Sequence, residues 1–234
     1  MNKNLAILNF ALAICLSANA QEFLTPTNTF SHEKTAYVTL VDGTELEGTL
    51  DDVDRKKGMI ESITIVNSSG EKRELQAESV EHMYLPPSGF DELQKAGNLA
   101  SDVQKWNDEK LNQDLFGNGY AYFELGEVMV KKEKHKLLMQ LLNPSFSKTI
   151  KVYYDPLEKS TGSFSYGGLT LAGGTAKSYY VRKTDGEMVR LEKKNYEEEF
   201  GSLYEKCPSL VEKYPDGKWR DLAQHVIAYS ACLE

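Results

Sequence analysis

The chain has 234 residues, of which 26% are charged, and its formal net charge is −8 at pH 7. An acidic chain is a poor binder of polyanions, so this charge balance argues against nucleic acid as a partner. The length is sufficient for one large domain or for two small ones.

Residues 1–20 have the pattern of a secretory signal peptide, with one lysine, an apolar run over residues 5–16, and small residues that end at Ala20. The apolar run is shorter than the roughly 20 residues that a membrane-spanning helix requires. A lipoprotein signal needs a small side chain before its cysteine, and Ile14 precedes Cys15. We therefore predict cleavage after Ala20, export to the periplasm or the extracellular space, and no transmembrane segment in the mature chain.

Residues 21–35 lack apolar periodicity and are predicted to form an extended, mobile lead-in. Residues 36–87 carry five short runs with the pattern of strands. In the first run, apolar and polar side chains alternate around Val38, which is typical of a half-buried strand. Asp42 and Gly43 then form a strong hairpin signal. The pattern predicts a small antiparallel barrel of five strands.

Residues 38–54 (Val-Thr-Leu-Val-Asp-Gly-Thr-Glu-Leu-Glu-Gly-Thr-Leu-Asp-Asp-Val-Asp) are similar to the first motif of the Sm-like proteins. The resemblance implies an Sm-like or SH3-like barrel over residues 36–85. In the Sm family, an asparagine after the aspartate and a later Arg-Gly pair hold a uracil base. This chain has Gly58 near the first place and residues 77–79, Ala-Glu-Ser, near the second. The resemblance therefore implies the barrel without the RNA-binding residues.

Residues 88–116 are predicted to form a connector helix, because Leu93, Ala100 and Val103 fall near one stripe among charged residues. Residues 117–234 are predicted to form an antiparallel sheet domain whose C-terminal helices cover one face of the sheet. The predicted fold class is mainly β with α, an α+β arrangement of a five-stranded barrel, a linking helix and a second sheet.

Only two cysteines follow the predicted cleavage site, Cys207 and Cys232. An even pair of cysteines in an oxidising compartment favours a structural disulfide. Two free thiols are the alternative.

No stretch of the chain matches a complete catalytic, cofactor-binding or metal-binding motif. The partial matches have simpler structural explanations. The histidines lack metal-ligand spacing and are expected at surfaces or interfaces; they are His32, His82, His135 and His225. The sequence predicts no catalytic residue, no metal and no cofactor, and it favours a non-enzymatic protein.

The candidate partner-binding residues are tyrosines and lysines. Tyr153 and Tyr180 each belong to an adjacent pair of tyrosines on a predicted strand, and amphipathic rings suit both glycans and protein partners. Lys134 and Lys136 belong to a basic stretch over residues 131–136. Ordinary sheet composition and a solvated hairpin tip are the simpler interpretations of these two features.

From residue 137 to the C-terminus, the chain is similar to uncharacterised exported proteins of Bacteroidota. An aliphatic strand ending in Asn-Pro, a strand ending in Tyr-Asp-Pro and a terminal cysteine recur in them and in this chain. The resemblance implies the envelope of a Gram-negative cell and brings no activity. We expect an exported, non-enzymatic binding or interaction protein with an envelope protein or glycan as partner. An exported hydrolase with an unrecognised active site and a small-ligand carrier are the alternatives.

Overall fold

The computed structural model describes residues 23–89, 108–158, 165–166, 169–170, 176–183 and 186–233. The predicted signal peptide and most of the predicted connector helix lie outside these residues. The described residues form a curled sheet of seven strands, a second sheet of three strands, and a layer of C-terminal helices.

All strands of the first sheet pair in antiparallel fashion, in the order β4-β3-β2-β1-β5-β6-β7. The strands are β1 (Thr35–Leu40), β2 (Glu45–Lys56), β3 (Met59–Val66), β4 (Lys72–Gln76), β5 (Val80–Leu85), β6 (Ala121–Val130) and β7 (Glu133–Gln140). The sheet curls into a half-barrel, and the curl brings β7 close to β3 and to the 3-10 turn Ala77–Ser79. Its concave face encloses an apolar core that includes Val38, Leu50, Ile63, Met83 and Phe123.

The five strands predicted within residues 36–87 are present, but the first sheet does not end with them. β6 pairs with β5, where Tyr84 lies opposite Tyr122, and β7 pairs with β6. The sheet therefore has seven strands, and it continues across the predicted boundary after residue 87. Alternation of apolar residues locates a strand, but it does not show which strand will cover the free edge of β5.

The second sheet contains β8 (Ile150–Tyr154), β11 (Ser178–Lys183) and β12 (Met188–Glu192), in the order β12-β11-β8. A short ladder pairs β9 (Ser165–Tyr166) with β10 (Leu169–Thr170). One face of the second sheet packs against β6 and β7 of the first sheet. Close approach is possible because β6 has a glycine there: a Cβ on Gly126 would lie 2.5 Å from the terminal methyl carbon of Met188.

The other face of the second sheet is covered by C-terminal helices, as predicted. The helices of the described residues are α1 (Gln113–Gly117), α2 (Tyr196–Leu203), α3 (Pro208–Lys213) and α4 (Leu222–Cys232). Val152 and Val181 of the sheet contact a core that includes Phe200, Trp219 and Val226. Among the described helices, none is both long enough and apolar enough to cross a membrane.

The predicted disulfide between Cys207 and Cys232 is present. Cys207 directly precedes α3 and Cys232 ends α4. The bond therefore ties the start of one helix to the end of another across the helical layer.

The described part of the lead-in is extended and contacts the folded core. The ring of Phe23 stacks 6.0 Å from that of Phe146. The amide of Thr27 donates to the side chain of Gln140 over 2.8 Å, and Phe30 forms a bridge with Pro87. Composition suggested a free segment because apolar periodicity is absent; the few apolar residues instead reach separate parts of the core.

Replacement of Phe30 by alanine tests whether the lead-in is part of the folded body. Phe30 is buried, and its ring lies edge-on to Phe123 with centroids 5.9 Å apart. We expect Phe30→Ala to lower the free energy of unfolding in urea by about 3 kcal/mol, because it leaves a cavity in the first core. The exposed Glu33→Ala serves as the control and is expected to change it by less than about 0.5 kcal/mol. Equal effects of the two substitutions on the free energy of unfolding would contradict the packing of the lead-in against the first core.

The disulfide is expected to stabilise the chain by about 3 kcal/mol, because it closes a loop with a sequence separation of 25 residues. The double variant Cys207→Ser/Cys232→Ser should show this loss in urea unfolding. Thiol titration of the denatured, unreduced mature protein should find no free thiol, and two free thiols would show that the bond does not form.

Candidate functional site

Five polar side chains meet between the two sheets, and we call them the inter-sheet cluster: Asp108, Glu124, Lys151, Tyr153 and Arg182. Glu124 projects from β6 toward β8 and β11, which carry the side chains that bind it. The Lys151 Nζ atom lies 3.3 Å from a Glu124 oxygen and 3.0 Å from an Asp108 oxygen. The Tyr153 hydroxyl donates to Glu124 over 2.8 Å, and the Arg182 guanidinium pairs with the second oxygen of the same carboxylate.

The inter-sheet cluster is internally neutral and only partly open to solvent. The side chains of Glu124 and Lys151 are each 16% exposed, and that of Arg182 is 28% exposed. Burial opposes ionisation of Glu124, but the nearby positive charges of Lys151 and Arg182 outweigh it and lower the pKa of the carboxyl group. Burial and the charge of Glu124 raise the pKa of Tyr153 far above its ordinary value. Near neutral pH, Glu124 is therefore an ionised hydrogen-bond acceptor rather than a proton donor.

A second ion pair, between a buried carboxylate and a partly exposed arginine, connects the strands of the second sheet. Asp155, which follows β8, is fully buried. One of its oxygens accepts hydrogen bonds of 2.7 Å from Ser178 of β11 and from Arg190 of β12. The other accepts from the amide of Leu157 over 2.9 Å. The bonds from Ser178 and Arg190 join the end of β8 to β11 and β12, so they stabilise the second sheet.

The β6–β7 hairpin presents charged side chains to solvent, and we call its residues 127–136 the basic hairpin. Its turn consists of Lys131 and Lys132, both in the left-handed region, with φ of 50° and 76°. Lys134 pairs with Glu127 over 2.7 Å, and this hydrogen bond and the opposite charge raise the pKa of the lysine. Met129, opposite Lys134 in the ladder, is 53% exposed.

A shallow depression of about 290 Å³ lies against the basic hairpin, lined by Glu78, Glu127, Lys134, His135 and Lys136. Another, of about 410 Å³, lies against the helical layer, lined by residues that include Lys193, Glu197, Asp216, Lys218 and Arg220. Lys218 is paired with Asp216 over 3.1 Å. Because both positive and negative side chains line this second depression, its charge does not select one class of ligand.

The structure separates the four predicted partner-binding residues. Lys134 and Lys136 are exposed on the basic hairpin. Tyr153 and Tyr180 are 0% and 1% exposed, so the prediction placed buried rings at a contact surface. Alternation showed that one ring of each tyrosine pair faces inward, but not which one. The face that carries Tyr153 and Tyr180 is covered by the first sheet.

The inter-sheet cluster was missed because its members are far apart in the sequence. Glu124 and Arg182 are separated by 58 residues. The available signal was Glu124 itself, an acidic residue between Phe123 and Leu125 in the apolar first half of β6.

In the part of the chain that the structure describes, no group of three or more His, Cys, Asp or Glu side chains is arranged to hold a metal ion. Comparisons with protein-family models, curated proteins and solved structures gave no match.

Replacement of Glu124 by glutamine tests the structural role of the inter-sheet cluster. Near pH 7, we expect Glu124→Gln to lower the free energy of unfolding by about 2 kcal/mol, because two partly buried cations lose their shared anion. Glu124 has a lowered folded-state pKa, so its stabilising effect is present above the ordinary value of 4.5 and is lost as the pH falls further. The difference from the wild type should therefore shrink in acid.

Glu127→Gln is the matched control, because it removes a solvent-exposed carboxylate from the same strand. Urea unfolding at several pH values measures both variants. A loss in Glu124→Gln that equals that of the control, or that does not change with pH, would contradict the assignment.

Proposed function

We propose that the protein is an exported, non-enzymatic binding protein of the bacterial envelope, and that it contacts a protein partner through the basic hairpin. The signal-peptide pattern of residues 1–20 supports export. The geometry of the hairpin supports its assignment as the contact surface. The main observation behind the proposal is the backbone conformation of the hairpin turn.

The charges of the inter-sheet cluster and of the Asp155–Arg190 ion pair are poor candidates for contact with a partner. Glu124, Asp155 and their cationic partners bind each other across strands, and this arrangement satisfies their hydrogen-bonding groups. A partner would have to break these bonds in order to use the same groups. Exposed charges on a projecting turn carry no such cost.

The turn of the basic hairpin is unusual beside the other hairpins of the same sheet. The β1–β2, β2–β3 and β3–β4 turns each contain a glycine at positive φ, namely Gly43, Gly58 and Gly70. In the β2–β3 turn, Lys57 also has a positive φ, of 53°, directly before the glycine. The β6–β7 turn differs from all three because it has no glycine at positive φ. The β6–β7 turn places two lysines there instead. The left-handed conformation costs a residue with a side chain on the order of 1 kcal/mol, and Asn-Gly would adopt it with less strain. Strain of this kind is often retained where the side chains are used.

The chemistry of the surface fits a protein partner with carboxylates around an apolar side chain. Lys131 and Lys132 form no ion pair with any described residue, so their charges are available. Lys136 lies opposite Glu127 in the ladder, and its charge acts on that carboxylate. Met129 supplies exposed apolar area beside them. Charge complementarity guides association and specificity, while a buried apolar anchor contributes most of the affinity.

Site-specific photocrosslinking in the native cells tests this surface. A crosslinking residue at position 132 should capture one dominant envelope protein. The same residue at Ser69, in the exposed β3–β4 turn, is the control and should not capture it. Identical products from both turns, or none from position 132, would contradict the proposal and favour a small-ligand carrier or an enzyme.

The double variant Lys131→Asn/Lys132→Gly separates fold from function. We expect it to raise the free energy of unfolding by about 1 kcal/mol, because the new turn residues adopt the left-handed region more easily. Its affinity for the purified crosslinked partner should fall at least about tenfold, because two contact charges are lost.

Lys72→Gln is the control, because it removes an exposed lysine that pairs with Asp51 on another part of the sheet. It should leave the affinity unchanged. Unchanged affinity in the hairpin variant would show that the two lysines do not contact the partner.

A further inference from the structure

The helical layer contains a buried histidine that the contact surface does not involve. His225 lies on α4 and is 0% exposed, so the expected surface or interface position is wrong for this histidine. Its ring lies 4.6 Å from that of Tyr214 and 4.9 Å from that of Phe200, measured between centroids. The imidazole therefore sits where α2, α4 and the residue that follows α3 meet.

Only one nitrogen of this imidazole has a hydrogen-bond partner among the described residues. Nδ1 lies 2.8 Å from the hydroxyl of Tyr196, which in turn lies 3.2 Å from that of Tyr204. Nε2 is buried without a partner among them. In the neutral ring, one nitrogen carries a proton and the other does not; the protonated ring would add a buried positive charge and a second N–H donor. An uncompensated charge of this kind is costly.

The groups that face His225 offer little compensation for a positive charge. From α2 and its C-terminal end, the facing groups are Tyr196, Phe200 and Tyr204. Burial raises the pKa of Tyr196 far above its ordinary value, so this hydroxyl stays neutral. Tyr214 faces the ring from the segment after α3. Asp221, at the start of α4, is the acidic group whose charge favours protonation.

Burial outweighs the attraction of Asp221 and lowers the pKa of His225 to about 4, from its ordinary value of 6.5. The folded chain therefore binds this proton less readily than an opened chain does. Stability that depends on the neutral ring is complete above the ordinary value, and it is lost progressively as the pH falls toward the folded-state value.

A chain of ring contacts connects His225 to the second sheet. Tyr196 contacts the ring of Trp219 at 5.4 Å, and Trp219 stacks on Tyr179 of β11 at 5.5 Å. The Cys207–Cys232 bond joins α3 to the end of α4 independently of these contacts. Loosening around His225 would therefore free α2 and α4 from the sheet while the disulfide keeps the helices tethered.

We infer that His225 is an acid-sensitive latch: protonation of its buried ring releases the helical layer from the second sheet, and deprotonation closes it again. The core of the first sheet is formed by other residues and lies on the far side of the second sheet. Opening is therefore local, as expected of a cooperative unit with its own core. The opened state exposes the apolar face that carries Val152 and Val181.

Hydrogen exchange of the full mature chain, with the disulfide intact, tests the latch. After correction for intrinsic exchange, amides in residues 150–154 and 196–232 should open on the order of 100-fold more readily near pH 4 than near pH 7. Amides in residues 35–66 should change much less. His225→Phe should remove most of the acid response, because its ring cannot be protonated.

Tyr196→Phe is the matched control, because it removes the same hydrogen bond as His225→Phe but keeps the imidazole. It should retain the acid response. If His225→Phe does not fold, the wild type still decides: NMR titration of the His225 ring should show protonation together with opening of the layer. An ordinary titration near pH 6.5 without opening, or an equal acid response in both variants, would overturn the inference.

Discussion

The attraction between Glu124 and the two cations of the second sheet is the interaction on which the arrangement of the layers depends. A carboxylate on the face of β6 that packs against the second sheet would be costly among apolar residues if it were alone. Lys151 and Arg182 approach it from two neighbouring strands, and Tyr153 adds a third donor. Apolar contacts hold the sheets together over a larger area, but they are not directional. The ion pairs fix which strands face each other.

The same principle divides the charges of the molecule into two groups. Charges between layers are paired, which favours their assignment to the fold. The turn of the basic hairpin places exposed lysines in a left-handed backbone conformation that other residues adopt with less strain. That contrast, rather than the number of lysines, supports a role in binding. The helical layer adds a third kind of group, since His225 is buried, titratable and only half satisfied in hydrogen bonding among the described residues.

Local features of the chain could be read from the sequence because their causes are local. Alternation located the strands, and Asp42-Gly43 formed the turn that its φ preference predicts. The pairing of Cys207 with Cys232 followed because only these two cysteines are present after the predicted cleavage site. By contrast, the addition of β6 and β7 to the first sheet depends on contacts between distant segments. Neither the partners of Glu124 nor the buried position of Tyr153 and Tyr180 has a local signal. The left-handed conformation of the two turn lysines could not be predicted from the sequence either, because lysine is not a residue that indicates such a turn.

The central functional claim is that lysine charges on the basic hairpin contact a protein partner. Its most direct test is the ionic-strength dependence of the affinity between the purified mature protein and the partner captured at position 132. The account predicts that this affinity falls roughly tenfold between about 0.05 M and about 0.5 M salt, because ions screen exposed charge pairs. An affinity that does not change with salt would contradict it, and would mean that contacts other than the lysines carry the binding.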